Sequence, residues 1–318
     1  MPTSSRLSML GLASMVSTSA CSGTPPSPSE APQATAPTGP IDVRVSSFPA
    51  EWLVQRVGGT EVQLQNVLPP GEDPPFWSPP GEVVAAVQSA ELIVANGAGF
   101  EQWMQTATLP ADRIVDSARG LDHIHIQGET HSHGKEGEHS HAGLDPHTWS
   151  DPNLFLQQAE AIHAALVAAR PDQKPTFDRN LADLRTDLTT LDRELLDALT
   201  PGRRVKMAAN HPAYNYLARR YELHIRAFDF DPEAVSDAAT VAAFTTWAAN
   251  VEKPHHLLWE SQPSDAVRQS FPAGVLHIYI DPLEQPPDGG TYDYLAQARK
   301  NVATFKALFK KSAPEEKP

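Results

Sequence analysis

Short apolar runs alternate with stretches of helical period along most of this 318-residue chain. In the first half, IDVRVSSF, EVQLQNVL, ELIVAN and RIVDS are short runs rich in β-branched residues and predict four strands. Helices are expected between them over AEWLVQRVGG and VVAAVQSA, and a third is expected over Phe100 to Met104 after the turn Gly97-Ala98-Gly99. A helix from Asn153 to Ala169 follows, broken by Pro171 and Pro175. Next, Phe177, Leu181, Leu184, Leu188, Leu191 and Leu195 recur at alternating spacings of four and three, the mark of one apolar helix face. A helix from Pro175 to Ala198 would extend roughly 36 Å at 1.5 Å per residue, long enough to serve as a strut or as an ordinary core helix. The second half repeats the first pattern, with strands at RVKMAAN, LHIRAFDF, HHLLWES and VLHIYID. Helices are expected at AYNYLARRY, Ala238 to Val251, Ser264 to Ser270 and Tyr292 to Lys310.

This alternation predicts an α/β fold of two lobes, each of about four strands with flanking helices, joined by the long helix. The boundaries read as an N-terminal lobe over 41–170, a linking helix over 171–199 and a C-terminal lobe over 200–318. A hydrophobic content of 40% suffices for two cores. Before the first lobe, Arg6 precedes an apolar and small-residue run from Leu7 to Ala20 that ends at the only cysteine, Cys21. That is an export signal, and a lone cysteine at its end matches a lipidation site, although Thr18 replaces the usual leucine. Residues 22–40 are rich in proline, serine, alanine and threonine and read as a tether. The expected location is therefore the periplasm or cell surface, with membrane attachment only through lipid. A net charge of −14, from 39 acidic and 25 basic residues, argues against a nucleic-acid partner and suits a cation.

Two kinds of metal-binding chemistry stand out. His123, His125, His131, His133, His139 and His141 crowd a glycine- and glutamate-rich segment, 122–141, with no apolar period. A mobile loop is expected there, able to capture zinc, copper or nickel weakly. The second is a set of three single residues at strand ends or helix starts: His147 in LDPHTWSDP, His211 in AANHPAYNY and Asp281 in IYIDPL. Ligands of open α/β sheets collect at the carboxyl ends of strands, so these could converge in a cleft, and two imidazoles with a carboxylate suit zinc. Taken singly, each is also an ordinary capping, interfacial or turn residue. Trp77, Trp103, Trp149, Tyr214 and Tyr216 are either core residues or a shield around such a site.

Several motifs in order, NGAGFEQWM, DPHTW-x-DP after a histidine-rich segment, NHPAYNYLARRY, LWESQ, IDPL and TYDYLAQARKNVATFKALF, resemble the ZnuA-like cluster of metal-binding proteins. These are solute receptors of zinc and manganese ABC importers. The resemblance spans nearly all of Ile41 to Phe309. It implies a monomeric receptor, not an enzyme, with one metal held between the lobes and delivered to a membrane permease. Carried over position by position, it implies His147 and His211 as the second and third histidine ligands and Asp281 as the carboxylate ligand. Histidine at 211 resembles the zinc branch, leaving Mn2+, Cu and Ni2+ as alternatives to Zn2+.

One departure matters: the family's first histidine corresponds to Pro75 in PPGEDPPFWSPP. Proline has no side-chain donor. Water, Glu72 or Asp73, a loop histidine such as His139 or His141, or Glu260 beside Asp281 could complete the site. A water-bearing zinc is also a catalytic pattern, yet neither an HExxH helix nor a nucleophile elbow is present. The competing reading is a surface metal-buffering chaperone, or an adhesion lipoprotein, in which the histidine-rich loop is the main binder.

Overall fold

A computed structural model describes residues 39–126, 143–286 and 291–310, together with the backbone of 130–132 and 138–140. The expected signal, Cys21, the tether and the C-terminal tail lie outside the described residues, as do the side chains of His131, His133, His139 and His141.

Alternation in the first apolar run becomes strand β1, Ile41–Val45, whose odd residues are buried. The strand ends sooner than its apolar run because Pro49 sets the first turn of helix α1, Phe48–Gly58. Strands β2 (Val62–Asn66), β3 (Leu92–Ala95) and β4 (Ile114–Asp116) follow, with helix α2 (Gly81–Ser89) between β2 and β3. The four strands form one parallel sheet in the order β2-β1-β3-β4. The turn after β3 requires Gly97: its φ is +88°, and a Cβ there would stand 1.9 Å from an Asp116 carboxylate oxygen. The helix expected over Phe100 to Met104 is instead a 3-10 turn, Gln102–Gln105. The buried Glu101 carboxylate accepts hydrogen bonds from Asn96 N at 2.7 Å and Gly97 N at 3.2 Å, so the chain is held in a closed loop before it can wind.

The histidine-rich segment is not wholly irregular. Strand β5, His125–Ile126, pairs antiparallel with β8, Gly143–Leu144, and between them β6, Thr130–Ser132, pairs with β7, Glu138–Ser140. Sequence pattern gives no hint of this, since no face of the ladder is apolar.

Helix α3, Pro152–Ala169, is capped by Asp151, whose side chain accepts from Asn153 N and Leu154 N. Helix α4, Lys174–Leu199, buries Phe177, Leu184, Leu188, Leu191 and Leu195 along the stripe read from the sequence. The second sheet is also parallel, with β9 (Lys206–Ala209), β10 (His224–Ala227), β11 (His255–Trp259) and β12 (Val275–Tyr279) in the order β10-β9-β11-β12. Its helices are α5 (Asn215–Tyr221), α6 (Ala238–Ala248), α7 (Asp265–Ser270) and α8 (Tyr294–Lys310).

The fold is thus two α/β lobes bridged by α4, which packs against α1 and α3 on one side and α8 on the other. One continuous apolar cluster runs from Val43 and Leu53 through the α4 leucines to Met207, Leu258 and Phe305. A second cluster, around Phe230, Phe244 and Trp259, is private to the C-terminal lobe. In both sheets the chain steps to one side of its first strand and then crosses to the other, which creates a switch-point crevice at the carboxyl ends.

Candidate metal centre

The elements deliver the chemistry-bearing side chains to these carboxyl ends. Asn210 and His211 follow β9, Glu260 follows β11, and Asp281 comes two residues after β12. From the other lobe, the segment between β8 and α3 brings Asp145 and His147.

His147 and His211 are buried, 4% and 7% exposed, and their rings meet edge to face with centres 5.4 Å apart. Two imidazoles on one tetrahedral zinc, with Zn–N of about 2.0–2.1 Å, place their ring centres roughly 5 Å apart. The separation is compatible with a shared metal. His147 also has its orientation fixed. Asp145, fully buried, accepts from His147 Nδ1 at 2.7 Å and from its backbone N at 3.0 Å. The second Asp145 oxygen accepts from Asn215 Nδ2 at 2.9 Å, and the Asp145 carbonyl accepts from Tyr216 OH at 2.9 Å. With Nδ1 committed to the carboxylate, Nε2 is the nitrogen left to face a metal. Burial pulls the His147 pKa down, but the charge and hydrogen bond of Asp145, with Glu284 and Glu260 nearby, outweigh it, and the net shift is upward.

The carboxylate side is similarly braced. Asn210 clamps Glu260, donating to its Oε1 at 3.0 Å and accepting from its backbone N at 3.0 Å. Asp281 exchanges hydrogen bonds with Asn301, which accepts from Asp281 N at 3.0 Å and donates to its carbonyl at 2.8 Å. Burial raises the Asp281 pKa, opposed by a hydrogen bond from Leu283 N. Tyr214 OH donates to Ile280 O at 2.6 Å and ties the His211 turn to the Asp281 strand.

Of the remaining expected residues, Glu72 is exposed and Asp73 half-buried. Asp73 lies in electrostatic reach of Glu284, and Pro75 is buried. His123 is built into the body of the protein, with Nε2 2.9 Å from Ala118 O, while His125 is exposed. Among the aromatic residues, Trp149 and Tyr214 stand at the site. Tyr216 supports it through Asp145 and also accepts from Ile124 N at 3.1 Å. Trp77 and Trp103 pack instead in a separate cluster with Leu68, Val87 and Ile93. Among the described residues, no three histidine, cysteine or acidic side chains already surround one metal-binding point. The two histidine rings meet, and Asp145, Glu284 and Glu260 act on His147 through their charge.

Sequence reasoning missed Asp145 and Glu284. The first was legible as the aspartate of a D-P-H tripeptide, close enough to reach its own histidine. The second lies just beyond the IDPL motif, on a loop whose shape no sequence pattern announces.

Two facing α/β lobes, parallel sheets with their carboxyl ends turned to a common crevice, and a buried histidine pair define a solute-receptor architecture. Residues 43–308 match the family model described as zinc-uptake complex component A periplasmic, and the chain belongs to that family. The family is defined by a part in zinc uptake and not by a catalysed reaction. The zinc-binding lipoprotein AdcA of Streptococcus pneumoniae is 26% identical over 291 residues, which cover 88% of this chain and 58% of AdcA. The chain thus spans little more than half of that relative. The high-affinity zinc uptake system protein ZnuA of Bacillus subtilis is 26% identical over 214 residues, 65% of this chain and 67% of that protein. The crystal structure of the Zn(II)-bound ZnuA-like domain of AdcA superposes with a TM-score of 0.71 at 25% identity, covering 86% of this chain and 98% of the domain.

Proposed function

We propose that this protein is the extracytoplasmic solute-binding subunit of a metal ABC importer, which binds one divalent cation, Zn2+ above all, and hands it to a membrane permease. The observation that carries the reading is the His147–His211 pair, ring centres 5.4 Å apart, with Asp145 behind His147. Relatives named for zinc binding and zinc uptake support the choice of metal. On this reading His147 and His211 supply nitrogen, and Asp281 supplies oxygen from the C-terminal lobe. Mn2+, Cu and Ni2+ are the competitors, and nitrogen donors favour zinc, copper and nickel over manganese. Glu260 and Asp73 add negative charge that draws a cation into the crevice.

The protein acts outside the cytoplasm, tethered by lipid on Cys21 through the 22–40 segment, and works as a monomer built of lobes 41–170 and 200–318 around the 171–199 helix. Among the described residues no helix is long and apolar enough to cross a membrane. Radiolabelled palmitate incorporation, lost in Cys21→Ala, tests the tether.

The test of the site is zinc calorimetry at pH 7.5 on three proteins. Wild type should show one tight site. His211→Ala should lose it, and a deletion of 127–142 should keep it. If instead the deletion abolishes binding and His211→Ala does not, the histidine-rich loop is the main binder, and the metal-buffering reading replaces this one.

A further inference from the structure

Four strands border the two parallel sheets, and they do not present the same surface to solvent. β2 exposes Gln63 and Gln65, β10 exposes His224 and Arg226, and β4 is cut short at three residues. β12 instead exposes Leu276 and Tyr279, by 42% and 40%. Its sequence, VLHIY, carries no acid, lysine, arginine, proline or glycine, and its register with β11 runs unbroken from Val275 to Tyr279 without a bulge. The open row of N–H and C=O groups on an edge strand is a template for another strand, and charge, proline, bulges, short length or a covering element ordinarily blunt it. β12 has none of the first four.

A cavity of about 1750 Å³ lies along this edge. Leu276, His277, Ile278 and Tyr279 all line it, four residues in a row. Successive side chains of a strand point to opposite faces of the sheet, so a cavity touching four in sequence follows the outer edge and not one face. The backbone is turned to match. Ile280 N donates inward to Trp259 O at 3.0 Å, which by alternation directs the N–H and C=O of His277 and Tyr279 to the outer side.

The charge of the groove opposes that of the chain. The whole protein carries a net charge of −14, yet Arg204, Lys206, Lys253, Lys306 and Lys310 line the cavity against two acids, Asp197 and Glu252. Among the described residues none of these five cations forms an ion pair. Lys306 and Lys310 stand one turn apart on α8, exposed on the same helix face. Val205, Val251 and Leu308 add apolar lining. His147, His211 and Asp281 take no part in the groove, so it is separate from the metal crevice.

We propose that the β12 edge is a docking site for an extended acidic segment of a partner protein, which adds as a further strand on β12. Its main chain bonds to His277 and Tyr279, alternate apolar side chains pack beside Leu276 and Tyr279, and its carboxylates meet the five cations. Main-chain pairing supplies affinity, and the cations select against basic segments. A second copy of this chain is less complementary, because two β12 edges paired about a twofold axis would set one cationic rim against another.

The probe is a short fluorescein-labelled peptide of alternating valine and glutamate, with its valine–lysine counterpart as control, added to the full chain. Fluorescence anisotropy should show saturable binding of the acidic peptide and binding of the lysine peptide weaker by about tenfold or more. Hydrogen exchange followed by NMR should show the His277 and Tyr279 amides slowed by about tenfold or more at saturation. Leu276→Glu and the double variant Lys306→Glu, Lys310→Glu alter exposed side chains, so both should melt at the wild-type temperature and bind the acidic peptide about tenfold more weakly or worse. Equal binding of the two peptides, wild-type affinity in both variants, or no saturable binding would overturn the proposal. Binding that leaves the His277 and Tyr279 amides unprotected would do the same. Protection of those amides without peptide would overturn it too: if lost on dilution, the occupant is a second copy, and if lost on deletion of 311–318, it is the chain's own C-terminal segment.

Discussion

Asp145→Asn is the sharpest probe of how the site is assembled. The carboxylate accepts three hydrogen bonds on two oxygens, from His147 Nδ1, His147 N and Asn215 Nδ2. Asparagine keeps one acceptor. If its oxygen stays on His147, its amide meets Asn215 Nδ2 donor to donor at a site fully closed to water. If it flips, His147 Nδ1 loses its acceptor and the ring its fixed tautomer. Either way the ligand is less well held and less electron-rich. Loss of such a partner costs ten- to a hundredfold in metal affinity, which is about 1.4–2.8 kcal/mol at 1.4 kcal/mol per tenfold. A second effect has the opposite sign. Asp145 raises the His147 pKa, so removing its charge weakens proton competition for the metal. The deficit of Asp145→Asn should therefore be largest near pH 7.5 and shrink toward pH 5.5. Chelator-competition titrations of zinc at both pH values measure it. Asn215→Ala, which frees one oxygen and keeps the charge, should cost less and be non-additive with Asp145→Asn. A folded Asp145→Asn protein whose zinc affinity matches wild type at pH 7.5 would refute the orienting role.

Three further outcomes follow from the same geometry. Gln158 is buried and donates to Asn96 O, Asn96 Oδ1 and Ser117 Oγ while accepting from Thr148 Oγ1. Gln158→Leu leaves Asn96 O bonded to Ser117 Oγ and Ala118 N but takes the Gln158 donor from Asn96 Oδ1, at about 1–3 kcal/mol for a group left unsatisfied, and should lower the denaturant midpoint accordingly. Asp151→Ala removes the α3 cap and one carboxylate partner of Arg220, so a loss of about 1 kcal/mol or more is expected in chemical denaturation. The raised His147 pKa gives the metal-free protein stability that is fully present below the unfolded value of 6.5 and lost as pH rises through the higher folded value. Zinc binding runs the other way, weakening as pH falls through that folded value, so melting curves with and without zinc should diverge as pH rises.

Legibility in the sequence tracked how local each cause is. The α4 stripe and the two parallel sheets were readable because period and burial coincide: Leu184, Leu188 and Leu191 are apolar at helical spacing and buried for that reason. His147 and His211 drew notice as polar residues at the ends of strands and starts of helices, and the structure brings their rings together across the lobes. What failed to show depends on distant partners. The 3-10 turn at 102–105 comes from Glu101 clamping the backbone at 96 and 97, against a helical local pattern. The bracing of His147 needs Asn215 from 70 residues along the chain. The reversal after Asp281 depends on Leu283 in a left-handed conformation, with Trp149 holding the Pro282 carbonyl and Tyr292 the Leu283 carbonyl. The β5–β8 and β6–β7 ladders are backbone pairings of polar residues and leave no periodic trace.

The contacts that join the lobes are largely the contacts that shape the site. Trp149 reaches Pro282, Tyr294 OH donates to Trp149 O at 2.6 Å, and Asn215 and Tyr216 hold Asp145. Arg220 on α5 meets both Asp192 on α4 and Asp151 at the start of α3. Beneath them the core passes unbroken through α4. Opening the lobes as rigid bodies would break all of these at once, several in water-excluded positions where each lost partner is costly. Loop-scale rearrangement of the segment around Asp281 and Glu284 breaks fewer of them. The two lobes are therefore braced as one body, and the segment around Asp281, held by Trp149 on Pro282 and Tyr292 on Leu283, is the part that can shift at least cost.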